Sequence, residues 1–150
     1  MIVNMEYEQL KLGNQVCFPI YAASRLITRA YQPLLDQLDL TYPQYLVMMV
    51  LWENDQVSVN TITDKLILNT NTVTPLLKRM EVLGLITRKR SETDERSRTI
   101  SLTEKGLKLR EQAALVPMQL AEKLDVGELN IDEIIDLRDK LNRLIEAIKN

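Results

Sequence analysis

Two short β-rich runs, Leu85 to Arg90 and Arg98 to Leu102, enclose a polar loop and follow directly on a helical pattern that carries Lys78 and Arg79 near its end. Few folds accommodate that order. The loop of Ser, Glu, Thr, Asp and Arg suits a hairpin connection. Gly84 supplies the left-handed residue that ends the helix, with Leu85 placed for the hydrophobic contact past the cap. A helix of this kind fills a major groove, and an arginine-tipped ribbon beside it reaches the backbone or the neighbouring minor groove. The pairing predicts a winged helix-turn-helix on duplex DNA.

The remaining elements fit around that pair. Val16, Ile20, Ala23, Ile27, Ala30, Leu34 and Leu38 recur at three- and four-residue steps, which predicts a long amphipathic helix. Thr41 opens a capping box with Gln44, with Pro43 tolerated in the first turn of a helix running from about Tyr42 to Trp52. Ser58 caps a short third helix through Leu66. Asn69, Thr70 and Asn71 offer caps for a fourth, and Pro75, which has no N–H for the carbonyl of Asn71, argues for a start near Asn71. That helix buries Val73, Leu76, Leu77, Met80 and Leu83. Thr103 caps a fifth helix that Pro117 kinks or breaks. Ile131, Ile134, Ile135, Leu137, Leu141, Leu144, Ile145 and Ile148 form a broad apolar stripe on the last.

The expected fold is therefore mainly α with a small β-hairpin wing, one domain over 1–150 with a DNA-binding core at about 42–102. The flanking helices, about 14–38 and 103–149, carry more apolar surface than that core can cover. They are expected to form a homodimer interface rather than wrap their own core, since two recognition helices match a palindromic site.

Composition narrows the function. Without histidine there is no Ser-His or Cys-His nucleophile pair and no imidazole zinc ligation; no phosphate-cradling glycine loop or metal-ligand cluster is present, so no enzyme, cofactor or metal is expected. The net charge is −2, so a nucleic-acid surface must be local: seven basic residues stand against four acidic between Lys78 and Arg98, and eight acidic against five basic from Glu122 to Lys149. The run Leu46 to Trp52 is too short to span a bilayer, and Glu6 and Glu8 stand where an export signal would be basic, so a cytoplasmic protein with no membrane partner is expected. Cys17, the only cysteine, is either buried packing or a thiol with its own chemistry.

With this element order, and with Asp94-Glu95-Arg96 preceded by Leu85-Ile86-Thr87-Arg88, the chain resembles the MarR family of transcription regulators along essentially its full length. The resemblance implies that Arg96 enters the minor groove while Asp94 braces it. A narrow minor groove concentrates negative potential, which a guanidinium held there exploits. Within that family, Gln15-Val16-Cys17-Phe18, Tyr21, Tyr31 and Thr41-Tyr42-Pro43-Gln44-Tyr45 resemble the one-cysteine organic hydroperoxide resistance regulators. That similarity implies Cys17 as the redox-sensing thiol, with Tyr31 and Tyr42 as thiolate-stabilising partners and Tyr21 nearby. Tyr21 is one helical turn from Cys17. Tyr31, roughly 21 Å along the same helix, cannot reach Cys17 of its own chain unless the helix breaks, and the resemblance implies contact across an antiparallel dimer. Pro19 requires the first helix either to begin close to Cys17 or to kink there.

These readings converge on a dimeric repressor released from its operator when an organic hydroperoxide oxidises Cys17 to a sulfenic acid that a low-molecular-weight thiol then caps. Thr70, Asn71, Thr72, Thr74 and Lys78 are the candidate major-groove contacts, Arg79, Arg88, Lys89 and Arg90 the phosphate contacts, and Arg96 with Asp94 the wing. One rival keeps the fold but has the dimer bind an aromatic or phenolic ligand reversibly, with Cys17 only packing. Another uses the winged helix purely for protein assembly.

Overall fold

The computed structural model describes residues 7–124, 127 and 129–149. Glu6, Asp125 and Glu128, which entered the sequence reading, lie outside the described residues. After two single 3-10 turns at Glu8–Leu10 and Leu12–Asn14 come α1 (Cys17–Asp36), α2 (Tyr42–Glu53), β1 (Val57–Ser58), α3 (Val59–Leu66) and α4 (Thr70–Val82). They are followed by β2 (Ile86–Arg90), β3 (Arg98–Leu102), α5 (Glu104–Ala113), α6 (Val116–Lys123) and α7 (Ile131–Ile148). The architecture is a winged helix-turn-helix, mainly α with a small antiparallel sheet.

The helix starts follow local hydrogen bonding. Thr41 accepts the backbone N–H of Gln44 while the Gln44 side chain accepts that of Thr41, the reciprocal box expected for α2. Ser58, Asn69 and Thr103 cap α3, α4 and α5 from one side only, each side-chain oxygen accepting the N–H three residues on. A second box, Asn130 with Glu133, opens α7 and had not been anticipated. The fourth helix begins one residue earlier than the Pro75 argument placed it. Asn69 satisfies the free N–H of Thr72 and so starts the helix at Thr70, with Pro75 inside it.

The exit from α4 is a two-bond left-handed terminus. Gly84 at φ +73° donates to the carbonyl of Glu81, and Leu85 donates to that of Met80. That bend turns the chain straight into the wing. The sheet order is β1-β3-β2, so the expected hairpin of β2 and β3 gains a third strand: Val57 pairs with Ile100 and Ser58 with Thr99. Two residues are too few to show strand alternation in a sequence.

Fully enclosed Met48, Leu51, Ile62, Val73, Leu77, Met80, Ile86 and Ile100 form a core between α2, α3, α4 and the sheet. Leu83, expected to join them, stays exposed at the end of α4. The flanking helices attach by narrow seams. From α1 only Leu35 is fully buried, α6 contributes Val116 and Leu120, and no described residue of α7 is buried. Pro117 does break the helix, sitting in the first turn of α6. No helix among the described residues is long and apolar enough to cross a membrane.

Candidate nucleic-acid interface and thiol site

Helix α4 turns Val73, Leu76, Leu77 and Met80 inward, which leaves Thr70, Asn71, Thr72, Lys78 and Arg79 exposed and Thr74 half-buried on the outer face. The wing curls toward that face. Together they enclose a cleft of about 540 Å³, lined by Thr70, Thr74 and Lys78 on the helix side and by Asp94, Arg96 and Arg98 on the wing side. Ser58 and Asn60, at the start of α3, close its floor. Lys89 and Arg90 are exposed at the end of β2.

Two sequence expectations change at this site. Asp94 does hold Arg96, but its carboxylate accepts the backbone N–H of Arg96 (2.9 Å) and its carbonyl accepts that of Ser97 (3.0 Å). The brace shapes the turn rather than gripping the guanidinium, because two residues of separation suit a side-chain-to-backbone turn. Arg88, expected on a phosphate, turns back instead. Its Nε and Nη2 donate to Glu81 Oε2 at 2.9 and 2.7 Å, and only 16% of its side chain is exposed. The Arg88 side chain, through these hydrogen bonds, holds the Glu81 carboxyl below the usual carboxylate range.

The sequence reading passed over Glu81, Arg98, Ser97, Ser58 and Asn60. A signal for Glu81 was present, since it stands three residues after Lys78 and seven after Thr74 and so continues the polar face of α4. The cleft positions of Ser58 and Asn60 depend on tertiary packing and had no local signature.

At the other pole, α1 begins at Cys17, so Pro19 falls in the first turn, where no N–H is required, and the helix has no need to kink there. Val16 gives no side-chain cap, and Cys17, the first residue of the helix, is solvent-exposed. Tyr21 is exposed one turn on, its ring 5.4 Å from the Arg25 guanidinium carbon. It is not part of the tyrosine group. Tyr31 instead packs on Tyr42 (ring centroids 4.9 Å) and Tyr45 (5.8 Å), and Tyr45 meets Trp52 edge-on at 6.3 Å. Tyr45, three residues after Tyr42 and thus on the same helical face, was not singled out as a site residue in the sequence. Burial pushes all three phenols above the ordinary tyrosine value, and the neighbouring rings add to it at Tyr31 and Tyr45; near neutral pH they remain O–H donors.

Because α1 is continuous from Cys17 through Tyr31, the thiol and the phenols of one chain lie about 21 Å apart along it. Along α1 near and between them, Val16, Phe18, Ile20, Leu26 and Ile27 are exposed, and α7 separately exposes Ile131, Leu137, Leu144 and Ile148.

Known proteins share this fold. A family model described as "Transcriptional regulator SarA/Rot" matches residues 29–113. The organic hydroperoxide resistance transcriptional regulator of Bacillus subtilis is 46% identical over 95% of both chains, and MgrA of Staphylococcus aureus is 38% identical over 93% of this chain and 94% of its own. Among solved structures, reduced AbfR bound to DNA superposes with a TM-score of 0.79 at 34% identity, over 95% of this chain and 98% of AbfR. The disulfide form of AbfR superposes with 0.65 at 36% identity, over the same shares. This chain belongs to the MarR family of winged-helix transcription regulators and resembles the organic hydroperoxide resistance regulators within it.

Proposed function

We propose that the protein is a two-fold dimeric repressor that binds a palindromic operator and is released when an organic hydroperoxide oxidises Cys17. The observation that carries this reading is the separation along α1 of an exposed thiol and a cluster of protonated phenols, with apolar surface between them. A second copy laid antiparallel covers that surface and brings Tyr31 and Tyr42 of one chain to Cys17 of the other. The family resemblance and the DNA complex of AbfR support DNA binding by this chain.

The chemistry is short. The Cys17 thiolate, in the first turn of α1 and beside the partner's phenol donors, attacks one peroxide oxygen. The S–O bond forms as the O–O bond breaks, giving a sulfenic acid and an alkoxide that takes a proton to leave as the alcohol. A low-molecular-weight thiol then condenses with the sulfenic acid, releasing water and leaving a mixed disulfide. The bulkier adduct at the subunit junction changes the spacing of the two α4 helices, and half-sites about 34 to 36 Å apart no longer fit both.

On the DNA, Thr70, Asn71, Thr72, Thr74 and Lys78 face the major groove, Arg79, Lys89 and Arg90 hold phosphates, and Arg96 enters the minor groove from a turn built by Asp94. The test titrates cumene hydroperoxide against binding of a duplex selected from a random pool by the reduced protein, for the wild type and Cys17→Ser. Release of the wild type alone, with a mass gain at Cys17, is the expected result. Equal release of both proteins would refute it and favour the reversible-ligand reading.

A further inference from the structure

Arg88 has every appearance of a DNA ligand in the sequence and lines the cleft, yet its guanidinium is already engaged, with Nε and Nη2 both donating to the carboxylate of Glu81. The other carboxylate oxygen of Glu81 accepts the backbone N–H of Arg88 at 3.2 Å. In the order β1-β3-β2, β2 is an edge strand, so this N–H faces away from β3 and has no strand partner. One carboxylate from the last turn of α4 thus takes up three donors from the middle of β2. The pair is half-enclosed, with side-chain exposures of 16% and 38%; the guanidinium's Nε and Nη2 converge on Glu81 Oε2 while Oε1 takes the strand N–H, so both the side chain and the backbone of Arg88 are held by one carboxylate.

Leu83, Gly84 and Leu85 carry the chain from α4 into β2, and Leu85 and Ile86 pack into the core with Leu77 and Met80; the Glu81–Arg88 pair ties the same two elements at their half-exposed edge. Arg96, at the far end of the ribbon, amplifies any rocking of β2 on α4.

We propose that Glu81 is a positioning residue for duplex reading: through Arg88 it clamps the wing edge to the recognition helix, so that Thr74 and Lys78 on one side and Arg96 on the other approach DNA as one rigid body. The inference rests on the DNA-binding reading above. It assigns Arg88 to geometry rather than to phosphate and gives a use to an acidic side chain beside a surface built for a polyanion. A carboxylate there repels phosphates unless its charge is neutralised within the protein.

The test is a double-mutant cycle in the full-length reduced protein, with Glu81→Ala, Arg96→Ala and the two combined, against the same selected duplex at several salt concentrations. Arg96→Ala is expected to weaken binding about tenfold and to lower the salt slope by about one ion. Glu81→Ala should do the same without touching DNA, and the double variant should lose no more than either single change, because a wing that is not held contributes nothing through Arg96. Arg88→Lys, which keeps the charge and loses the planar pair of donors, should reproduce Glu81→Ala; its thermal melt and that of Glu81→Gln identify any effect that comes from unfolding. Losses that multiply to about a hundredfold in the double variant would overturn the clamp. So would tighter binding in Glu81→Ala, which is the behaviour of a phosphate ligand that Glu81 merely holds back. If Arg96→Ala leaves binding unchanged, the wing reading itself fails, an outcome separate from failure of the clamp.

Discussion

Replacing Gly106 by alanine sets two general effects against each other, and the structure decides between them. Gly106 lies in the first turn of α5 at an ordinary helical conformation, where alanine gains about 1 kcal/mol of helix propensity. A Cβ there would, however, sit 3.1 Å from the carbonyl carbon of Leu85 and 3.3 Å from Leu102 Cδ2, and closer still to the Leu85 oxygen, roughly 1 Å or more inside contact distance. Backbone cannot rotate aside as a flexible side chain can. The same carbonyl accepts the N–H of Thr103 (3.1 Å), Thr103 Oγ1 accepts the N–H of Gly106 (3.0 Å), and Trp52 Nε1 donates to Gly106 O (2.9 Å). Displacing α5 strains this cap and the tryptophan bond together. Overpacking at 1–3 kcal/mol, with about 1 kcal/mol each for cap and hydrogen bond and less the propensity gain, leaves a net loss of roughly 2–4 kcal/mol. Urea unfolding of wild type and Gly106→Ala at one fixed protein concentration measures it, since the stability of the proposed dimer would depend on concentration. An alanine variant as stable as the wild type, or more so, would refute the close-approach argument.

Other outcomes follow from single contacts. Thr41→Ala removes the acceptor for Gln44 N–H and is expected to cost about 1 kcal/mol in the same assay. Met80→Ala, at a fully enclosed position, is expected to cost roughly 2–5 kcal/mol. The Glu81 carboxyl is held below its unfolded value, so its stabilisation is complete above the ordinary carboxylate range and fades as pH falls through the lowered folded value. Wild type and Glu81→Gln should therefore differ in melting temperature at pH 7 and converge in strong acid; a gap that persists there would contradict the pairing.

Much of the core was legible because it rests on local rules. Thr41 with Gln44, Ser58 and Thr103 name their helix starts by hydrogen-bond chemistry, and Gly84 with Leu85 names a stop, so the order of helices and wing could be read from sequence. The misses share one cause. The two-residue strand Val57–Ser58, the exposed end at Leu83 and the cleft floor at Ser58 and Asn60 are set by what packs opposite, which no local period records. A basic side chain beside a basic ribbon reads as a DNA contact, and the pairing of Arg88 with Glu81, seven residues earlier, becomes visible only in space. Tyr21 shares a face with Cys17, but the phenols that gather are those on the α1–α2 packing seam.

The central claim is that the thiol of one subunit is served by phenols of the other. Heterodimers test it most directly: mix a Cys17→Ser chain with a chain carrying Tyr31→Phe and Tyr42→Phe, and measure the rate of Cys17 oxidation by cumene hydroperoxide. Across the two-fold, the surviving Cys17 meets the intact tyrosines of its partner, so the mixed dimer should oxidise at a rate per thiol close to that of wild type while the Tyr-to-Phe homodimer stays slow. A mixed dimer as slow as that homodimer would contradict the account.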